Sequence, residues 1–246
     1  MHYKRELQQC YDNEAAKFSQ TRQKHWYEFD DIMHIINNIS HKTVTIVELG
    51  CGNGRLYEYI KQHTSKTIHY TGIDFSKGLL RFAKKQHPEA HRVCDDMSNG
   101  LKKIPQESCD LVVSVAAFQH LPNRRERNFV LKNVYRILKY DAKYIMVNRA
   151  FSDRFYKKYR QQITIAMIRY IVSLGKHARN DIIIPRKGEK RVYHRYYHIF
   201  TLPEITNLMA QNWLLIETLW YGLLQANNNL HQAKNSMCVA RKAISQ

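Results

Sequence analysis

The cysteines of this chain neither pair nor cluster. All five stand singly, with no C-x-x-C pair and no regular spacing: Cys10, Cys51, Cys94, Cys109 and Cys238. A structural zinc site and a disulfide framework both depend on closely or regularly spaced cysteines. We therefore expect no bound metal and no disulfide.

Long apolar runs are lacking as well. No stretch reaches about 18 consecutive apolar residues, and residues 1–6 have no apolar core of the secretory-leader type. Internal repeats and low-complexity tracts are also missing from the sequence. We expect a cytoplasmic protein with no membrane partner. Its 246 residues, 44% of them hydrophobic, suffice for one domain.

Acidic residues are scarce relative to basic ones. Lys and Arg number 39 against 21 Asp and Glu, which gives a formal charge of +18. Such an excess either keeps a protein in solution or attracts a polyanion. Many of the basic residues fall between positions 151 and 200. Because they cluster, we favour a polyanionic partner, with nucleic acid as the first candidate.

Glycine is sparse, yet three of the nine glycines stand at alternate positions in one loop. Gly50, Gly52 and Gly54 follow the apolar run 43–47 and precede a helix-like stretch at 56–60. Glycine lets the backbone turn tightly and approach a ligand, because a Cβ atom would clash there. The dinucleotide fingerprint needs a further glycine that this spacing does not supply. The loop therefore predicts a nucleotide-like cofactor other than NAD.

The acidic-x-Gly-x-Gly-x-Gly form of this loop resembles motif I of the class I S-adenosylmethionine (SAM) dependent methyltransferases. That resemblance implies SAM as the cofactor. Glu48 is expected near the amino group of the cofactor, either in direct contact or orienting the loop through water. The loop residues expected to bind the cofactor are Glu48, Gly50, Cys51, Gly52, Asn53 and Gly54.

Short apolar runs alternate with helical patterns along the first part of the chain. They predict strands at 43–49, 67–75, 91–95, 109–117 and 142–147, with helices near 77–86 and 124–138. Alternation of this kind is typical of a parallel sheet covered on both faces. A final hairpin at 213–221 and 236–242 completes seven strands. We predict an α/β, Rossmann-like class I methyltransferase fold with a seven-stranded, mostly parallel sheet, helices on both faces and an antiparallel last strand.

We interpret residues 1–246 as a single methyltransferase domain, with a helical N-terminal segment at 1–40. The alternation stops at 151–200, which we interpret as a basic insertion that forms part of the substrate site. Within it, the apolar stretch 163–174 predicts a helix that packs on the sheet or on a partner, with core packing as the default. Asparagines at 227–229 mark a loop.

Acidic residues follow the second and third predicted strands, at the edge where open α/β sheets bind ligands. Asp74 is suited to accept hydrogen bonds from both ribose hydroxyls of the cofactor. An aspartate that caps the next helix would give the same sequence pattern. Asp95 is suited to accept a hydrogen bond from the exocyclic amine of adenine. A pair of aspartates that only forms a turn would give the same sequence pattern. Further cofactor contacts are expected from Phe75, Asp96, Met97 and, at the end of the fourth strand, Ser114.

A dense aromatic and basic block, His194-Arg195-Tyr196-Tyr197-His198, lies near the end of the insertion. Arg can bind phosphate or carboxylate in a bidentate way, Tyr can stack on a base, and His can donate to either. The block suits a nucleotide-binding wall; a strand with alternating buried aromatics is the other interpretation.

This block resembles the His-Arg-Tyr-Tyr-His motif of the tRNA wobble-uridine carboxymethyl methyltransferases, which esterify 5-carboxymethyluridine in the anticodon. Other segments resemble that family too, namely Tyr11-Asp12, residues 18–22, Trp26, Gln119-His120 and residues 181–185. The resemblance implies the tRNA anticodon loop as the partner, and a small zinc-containing activator subunit as a possible second one.

Some positions depart from that family's pattern. Arg186 stands where the family has Trp, Tyr140-Asp141-Ala142 replaces a Pro-Gly-Gly turn, Asn148-Arg149 replaces Trp-Ala, and Asn235-Ser236 replaces a closing Asn-Trp. These departures bear on the identity of the acceptor more than on the methyl-transfer chemistry.

Methylation of a carboxylate needs alignment and no general base, because the nucleophile is ionised at neutral pH. We expect the acceptor to be positioned by Arg22, His120, His194 and Arg195, with Tyr196, Tyr197 and His198 binding the nucleotide. Two alternatives remain open: an O-methyltransferase of a small acidic metabolite, and a nucleic-acid-binding or scaffold protein that keeps the fold without catalysis.

Overall fold

The computed structural model describes residues 2–21, 26–189, 191–221 and 234–243. The strands are β1 Thr43–Leu49, β2 Thr67–Asp74, β3 His91–Cys94, β4 Cys109–Val115, β5 Leu138–Arg149, β6 Asp181–Lys187, β7 Val192–His198, β8 Leu214–Tyr221 and β9 Asn235–Lys242. The helices are α1 His2–Asn13, α2 Ala15–Thr21, α3 Glu28–Asn37, α4 Arg55–His63, α5 Lys77–Gln86, α6 Met97–Lys102, α7 Arg124–Ile137, α8 Asp153–Val172 and α9 Leu202–Ala210, with a 3₁₀ turn at Phe118–His120.

Seven strands form the main sheet in the order β3-β2-β1-β4-β5-β9-β8. The first five are parallel, β9 runs antiparallel to β5, and β8 runs antiparallel to β9. This arrangement confirms the predicted fold. The chain moves outward from β1 to β3 and then returns to β4 on the other side of β1. Strand order therefore reverses between β1 and β4, where open α/β sheets bind their ligands.

Two apolar clusters cover the faces of the sheet. One packs β-strand side chains against α7 and α9, and it includes Phe118, Val130, Val134, Met146 and Met209. The other packs against α3, α4 and α5, and it includes Phe29, Ile36, Ile60, Leu80 and Val113. Because both faces are covered, the strands are buried along most of their length, as in parallel sheets generally.

The predicted insertion forms a separate two-stranded antiparallel ribbon, β6–β7. Helix α1 packs against β7 and α5. Asn13 Nδ2 donates to the Tyr193 hydroxyl at 2.9 Å, and the His194 amide donates to Glu6 at 2.8 Å. These contacts hold the first helix and the ribbon together beside the main sheet.

Helix α8 corrects one expectation. The apolar stretch 163–174 is helical over most of its length, but it does not pack in the core. The helix buries Phe155 and Ala166 on the ribbon, beside Ile182 and Ile184. A two-stranded ribbon is too narrow to cover more of it, so several apolar side chains face outward: Ile165, Ile168, Ile171, Val172 and Leu174.

Within the described ranges, no helix has the length and apolar character needed to cross a membrane. The loop predicted at 227–229 lies outside those ranges.

Candidate cofactor and acceptor site

A cavity of about 370 Å³ opens at the carboxyl ends of β1, β2 and β4. Its lining comes from the glycine loop, the first residues of α6, the end of β5, helix α1 and strand β7. The cavity therefore lies at the reversal of strand order, between the main sheet and the ribbon.

The glycine loop forms one wall of this cavity through Gly50, Cys51, Gly52 and Asn53. Gly50 has a φ of 75°, and a Cβ atom built on it would lie 2.3 Å from the Ala117 Cβ. The loop can therefore pack against the turn that follows β4 only because that position carries no side chain. Gly54 turns the chain into α4 and is not part of the cavity lining.

Asp74 ends β2 with its carboxylate buried against the loop. Gly52 donates its amide to Oδ2 and Ser76 donates its amide to Oδ1, both at 2.8 Å. Burial raises the pKa of Asp74 to about 6, against the lowering effect of these amides. A carboxylate has about four lone-pair sites, so two stay available for ribose hydroxyls. The N-cap of α5 is Ser76, whose side chain accepts from Leu79.

Glu48 lies below the loop and lines the cavity. The Tyr70 hydroxyl donates to its Oε2 at 2.5 Å. Burial raises the pKa of Glu48 to about 8, although Tyr70 and Arg55 oppose the shift. The carboxyl group is therefore protonated at neutral pH until a cationic group, such as an amino group of a ligand, comes close.

Two neighbouring aspartates follow β3 and take different positions. Asp96 lines the cavity together with Met97 and caps α6 by accepting from the Ser98 and Asn99 amides. Asp95 instead pairs with Lys103 at 2.7 Å and lies outside the cavity lining. The structure thus brings Asp96 and Met97 into the cavity lining, and it does not bring Asp95 there.

Of the other expected cofactor contacts, Phe75 lines the cavity and Ser114 does not. Ser114 is fully buried in β4, where its Oγ accepts from the Phe118 amide at 3.2 Å. Its role is to fix the turn that follows β4. The prediction of a cofactor contact for this side chain is therefore corrected.

The aromatic and basic block forms strand β7, so its side chains alternate between two faces. Arg195 and Tyr197 line the cavity, with the Arg195 guanidinium carbon 5.4 Å from the Tyr197 ring centroid. Arg195 Nε is buried, and the described part of the chain offers it no acceptor. These two residues of the block therefore face the cavity.

The alternate residues, Tyr196 and His198, lie behind the cavity wall in a buried polar network. His198 Nδ1 lies 2.7 Å from Asp181 and its Nε2 lies 2.6 Å from Glu204. Burial raises the pKa of Asp181, but hydrogen bonds from His198 and Tyr196 outweigh it and hold the pKa below its usual value. Arg127 completes the network. The expectation that Tyr196 and His198 contact the nucleotide is therefore corrected.

His194 faces outward, with 56% of its side chain exposed, and its ring lies 3.4 Å from Glu6. It contributes to a second, outer depression and not to the main cavity. Arg22, the remaining residue of the predicted positioning set, lies outside the described residues.

His120 lines the cavity between the rings of Tyr11 and Tyr197. Its Nδ1–H donates to the Tyr196 carbonyl at 2.8 Å. Burial lowers the pKa of His120 to about 4, so the ring is neutral at physiological pH and Nε2 carries a lone pair. In this state His120 therefore presents Nε2 to the cavity as a hydrogen-bond acceptor, and its expected role in positioning the methyl acceptor stays a prediction.

Further lining residues were not selected from the sequence. They include Tyr11 from α1 and Arg149 at the end of β5. The position of Arg149 directly after a predicted parallel strand was a usable signal, since the carboxyl ends of such strands share one edge. Helix α1 gave no comparable signal, because its approach to β7 depends on tertiary packing.

No group of three His, Cys, Asp or Glu side chains suited to a metal ion occurs among the residues that the structure describes.

Comparisons with known proteins agree with this geometry. Residues 47–146 match the family model described as a methyltransferase domain. A SAM-dependent methyltransferase from Methanosarcina mazei superposes with a TM-score of 0.68 at 20% identity, covering 86% of this chain and 98% of that one.

Two curated relatives carry the name tRNA (carboxymethyluridine(34)-5-O)-methyltransferase. The one from Schizosaccharomyces pombe is 25% identical over 213 residues, covering 82% of this chain and 86% of its own length. The one from Xenopus tropicalis is 23% identical over 239 residues, or 81% of this chain, but the match spans only 36% of that longer protein. O-methyltransferases with other names also match, among them a malonyl-[acyl-carrier protein] O-methyltransferase of Bacillus cereus.

The fold, the matched domain and the glycine-loop cavity define the class of this protein, a SAM-dependent methyltransferase. Within that class, it resembles the tRNA carboxymethyluridine methyltransferases at low identity.

Proposed function

We propose that this protein methylates the carboxylate of 5-carboxymethyluridine at the wobble position of tRNA, forming the methyl ester. The observation that carries the proposal is Arg195. Its guanidinium lines the cavity beside Tyr197, and its buried Nε lacks an acceptor among the described residues. A carboxylate of the acceptor would satisfy that donor, and the aromatic ring would pack against the base.

The glycine loop, Asp74 and Asp96 suit a cofactor with a ribose and an adenine, as described above. Bound SAM supplies an electrophilic methyl group on a sulfonium sulfur. Transfer of that methyl group to a carboxylate oxygen would neutralise the two opposite charges and would require no proton transfer, so the protein would only have to hold the two groups in line. Arg195 would hold the carboxylate in line, and such orientation contributes up to about 7–11 kcal/mol in well-ordered cases.

His120 would serve this arrangement as a neutral hydrogen-bond acceptor. Its Nδ1–H is committed to the Tyr196 carbonyl, which fixes the ring, and its Nε2 lone pair can receive an N–H or O–H of the acceptor. A uracil base carries one such N–H group. This role suits a nucleoside acceptor without requiring His120 to carry charge or to remove a proton.

Exposed cations on α8, on the ribbon and in the connection between them would bind the phosphates of the anticodon loop. They include Arg154, Lys157, Arg160, Lys176, Arg179 and Lys187. Affinity for tRNA should then fall steeply as the salt concentration rises, because each bound phosphate releases counterions. The small zinc-containing activator subunit stays a prediction from the family resemblance.

Mass spectrometry of tRNA nucleosides from cells with and without the protein tests the proposal. Cells that lack the protein should lose the methyl ester and accumulate 5-carboxymethyluridine, and purified protein with SAM should restore the ester. Unchanged wobble uridines in those cells, together with no turnover in the purified reaction, would refute it.

A small acidic metabolite is the second candidate acceptor. The same Arg195 would bind its carboxylate, and the match to O-methyltransferases with other names favours keeping this candidate. A tRNA-binding titration at two salt concentrations separates the two: tight, salt-dependent binding favours tRNA, and no binding at either concentration favours the metabolite.

A further inference from the structure

Arg149 lines the cavity at a point that the proposed carboxylate chemistry does not use. It is the last residue of β5, and its amide donates to Gln119 Oε1 at 2.6 Å. On the other side it pairs with Asn235 of β9 in the sheet register. Its backbone is therefore fixed from both neighbouring elements, and the side chain starts from a defined position at the carboxyl edge of the sheet.

Other cations of the cavity already interact with groups of the protein. Lys4 forms an ion pair with Glu126, and the Arg55 guanidinium lies 4.8 Å from the centroid of the Trp26 ring. For the Arg149 guanidinium, the described ranges show neither an ion pair nor a hydrogen bond. A half-buried guanidinium in this situation attracts an anion, which it can bind in a bidentate way.

The acids of the cavity do not supply that anion. Asp74 accepts from two backbone amides of its own segment, Asp96 accepts from the first amides of α6, and Glu48 is protonated at neutral pH. The positive charge of Arg149 is therefore available to a ligand.

We infer that Arg149 binds a second anionic group of the acceptor, a phosphate, while Arg195 binds the carboxylate. This inference rests on the proposed function. A single carboxylate can satisfy one guanidinium fork, so Arg149 calls for an anion besides the carboxymethyl group. The amino-acid carboxylate of SAM is one such anion, and contact with it would make Arg149→Ala lose SAM affinity; a phosphate of the acceptor is the other. A nucleotide that carries a carboxymethyl group has both the carboxylate and the phosphate.

Binding to protein saturated with S-adenosylhomocysteine, measured by calorimetry, tests the inference. The probes are 5-carboxymethyluridine, its 3′-monophosphate, and a trinucleotide with the modified base at its centre. In the wild type, the phosphate should raise affinity by about tenfold, the usual scale of a charge-assisted contact. Arg149→Ala should lose this gain, Arg149→Lys should keep part of it, and both should bind SAM as tightly as the wild type.

The same phosphate gain in Arg149→Ala and in the wild type would overturn the inference, as would an equal loss of affinity for the nucleoside and the nucleotide. Binding of none of the probes would overturn it together with the proposed function. A gain that depends on Arg149, together with no methylation of any probe in a separate reaction with SAM, would support the inference and refute the proposed reaction. A gain with the monophosphate identifies a terminal phosphate as sufficient, whereas a gain with the trinucleotide alone identifies an internal phosphodiester.

Discussion

The glycine loop and the β6–β7 ribbon face the same cavity. The loop contributes mainly backbone groups to it, whereas the ribbon contributes side chains. The loop offers backbone amides and empty space: Gly50 tolerates no Cβ atom, and the Gly52 amide holds Asp74. The ribbon offers side chains, with Arg195 and Tyr197 on one face and Tyr196 and His198 on the other. A site made of backbone is fixed by local sequence, whereas a site made of side chains depends on which face of a strand turns inward.

The glycine-loop side and the ribbon side of the cavity should therefore respond independently to substitution. The ribbon is held by the buried network around His198, while Asp74 and the loop are held by the main sheet. Damage to the network should leave the cofactor side intact, and damage to Asp74 should leave the ribbon folded. Single substitutions and changes of pH should separate the cofactor side from the ribbon side.

Asp181→Asn should destabilise the protein most. The substitution removes a buried carboxylate that contacts His198, Tyr196 and Arg127. Breaking a buried charged group of this kind costs about 3–5 kcal/mol. The midpoint of thermal unfolding should fall by about 10 °C for a chain of this length. Asp141→Asn is the matched control, because its contact with Arg241 is exposed and contributes at most about 1 kcal/mol.

If Asp181→Asn shifted the unfolding midpoint no more than the control, the network would not hold the ribbon. If the folded variant lost SAM affinity, the two sides would not be independent.

Asp74→Ala should weaken SAM binding, whereas Arg195→Ala should weaken turnover of the acceptor. The first removes the carboxylate suited to the ribose hydroxyls, so SAM should bind about 100-fold more weakly, at roughly 1.5–3 kcal/mol per charged hydrogen bond. The second should leave SAM affinity within about threefold and lower kcat/KM for the acceptor about 100-fold, by the same scale. Calorimetry and steady-state kinetics measure both. Asp95→Ala, which alters an aspartate outside the cavity, is the control for the first variant. Equal loss of SAM affinity in Asp74→Ala and Arg195→Ala would contradict the division of the cavity.

SAM affinity should fall as pH decreases through about 6. The pKa of Asp74 in the protein, about 6, lies above the ordinary value of an aspartate because the group is buried. Ribose hydroxyls favour the ionised carboxylate, so binding lowers that pKa and protonation opposes binding. Below pH 6, the Kd should rise up to about tenfold per pH unit. Titration by fluorescence or calorimetry between pH 5 and 8 checks the slope. Asp74→Asn should bind weakly and lose the increase in slope below pH 6, whereas any slope at higher pH from Glu48, whose pKa is about 8, should stay. A slope below pH 6 as steep as that of the wild type would assign the proton to another group.

His194→Ala should have the smallest effect. The side chain is exposed and points away from the cavity, so turnover of a nucleoside acceptor should stay within about threefold, in the range of neutral surface substitutions. Kinetics with 5-carboxymethyluridine and with tRNA check it. A loss as large as that of Arg195→Ala would place His194 at the reaction centre and contradict the alternation of faces.

The sequence patterns predicted the sheet well, because strand and helix periodicities are local. Thr43–Leu49 and Lys77–Gln86 have the predicted bounds, and the glycine spacing marked the loop. The acceptor side was harder to predict. The sequence block 194–198 suggested five site residues, but the strand period divides them, and only packing against α1 and α7 decides which face meets the cavity. The buried network behind Tyr196 needs Arg127, Asp181 and Glu204, which are distant in sequence.

Strand β7 also constrains how this protein can change. Successive residues of a strand face opposite ways, so a shift of one position in the pairing of β6 with β7 would exchange Arg195 and Tyr197 for His194, Tyr196 and His198. A single inserted or deleted residue between the two strands could therefore remove the Arg195 guanidinium and the Tyr197 ring from the cavity wall and bring residues of the opposite face there. Natural variation in acceptor choice should therefore proceed by substitution on the inward face, or by changes of two residues in the connecting turn, which preserve the alternation.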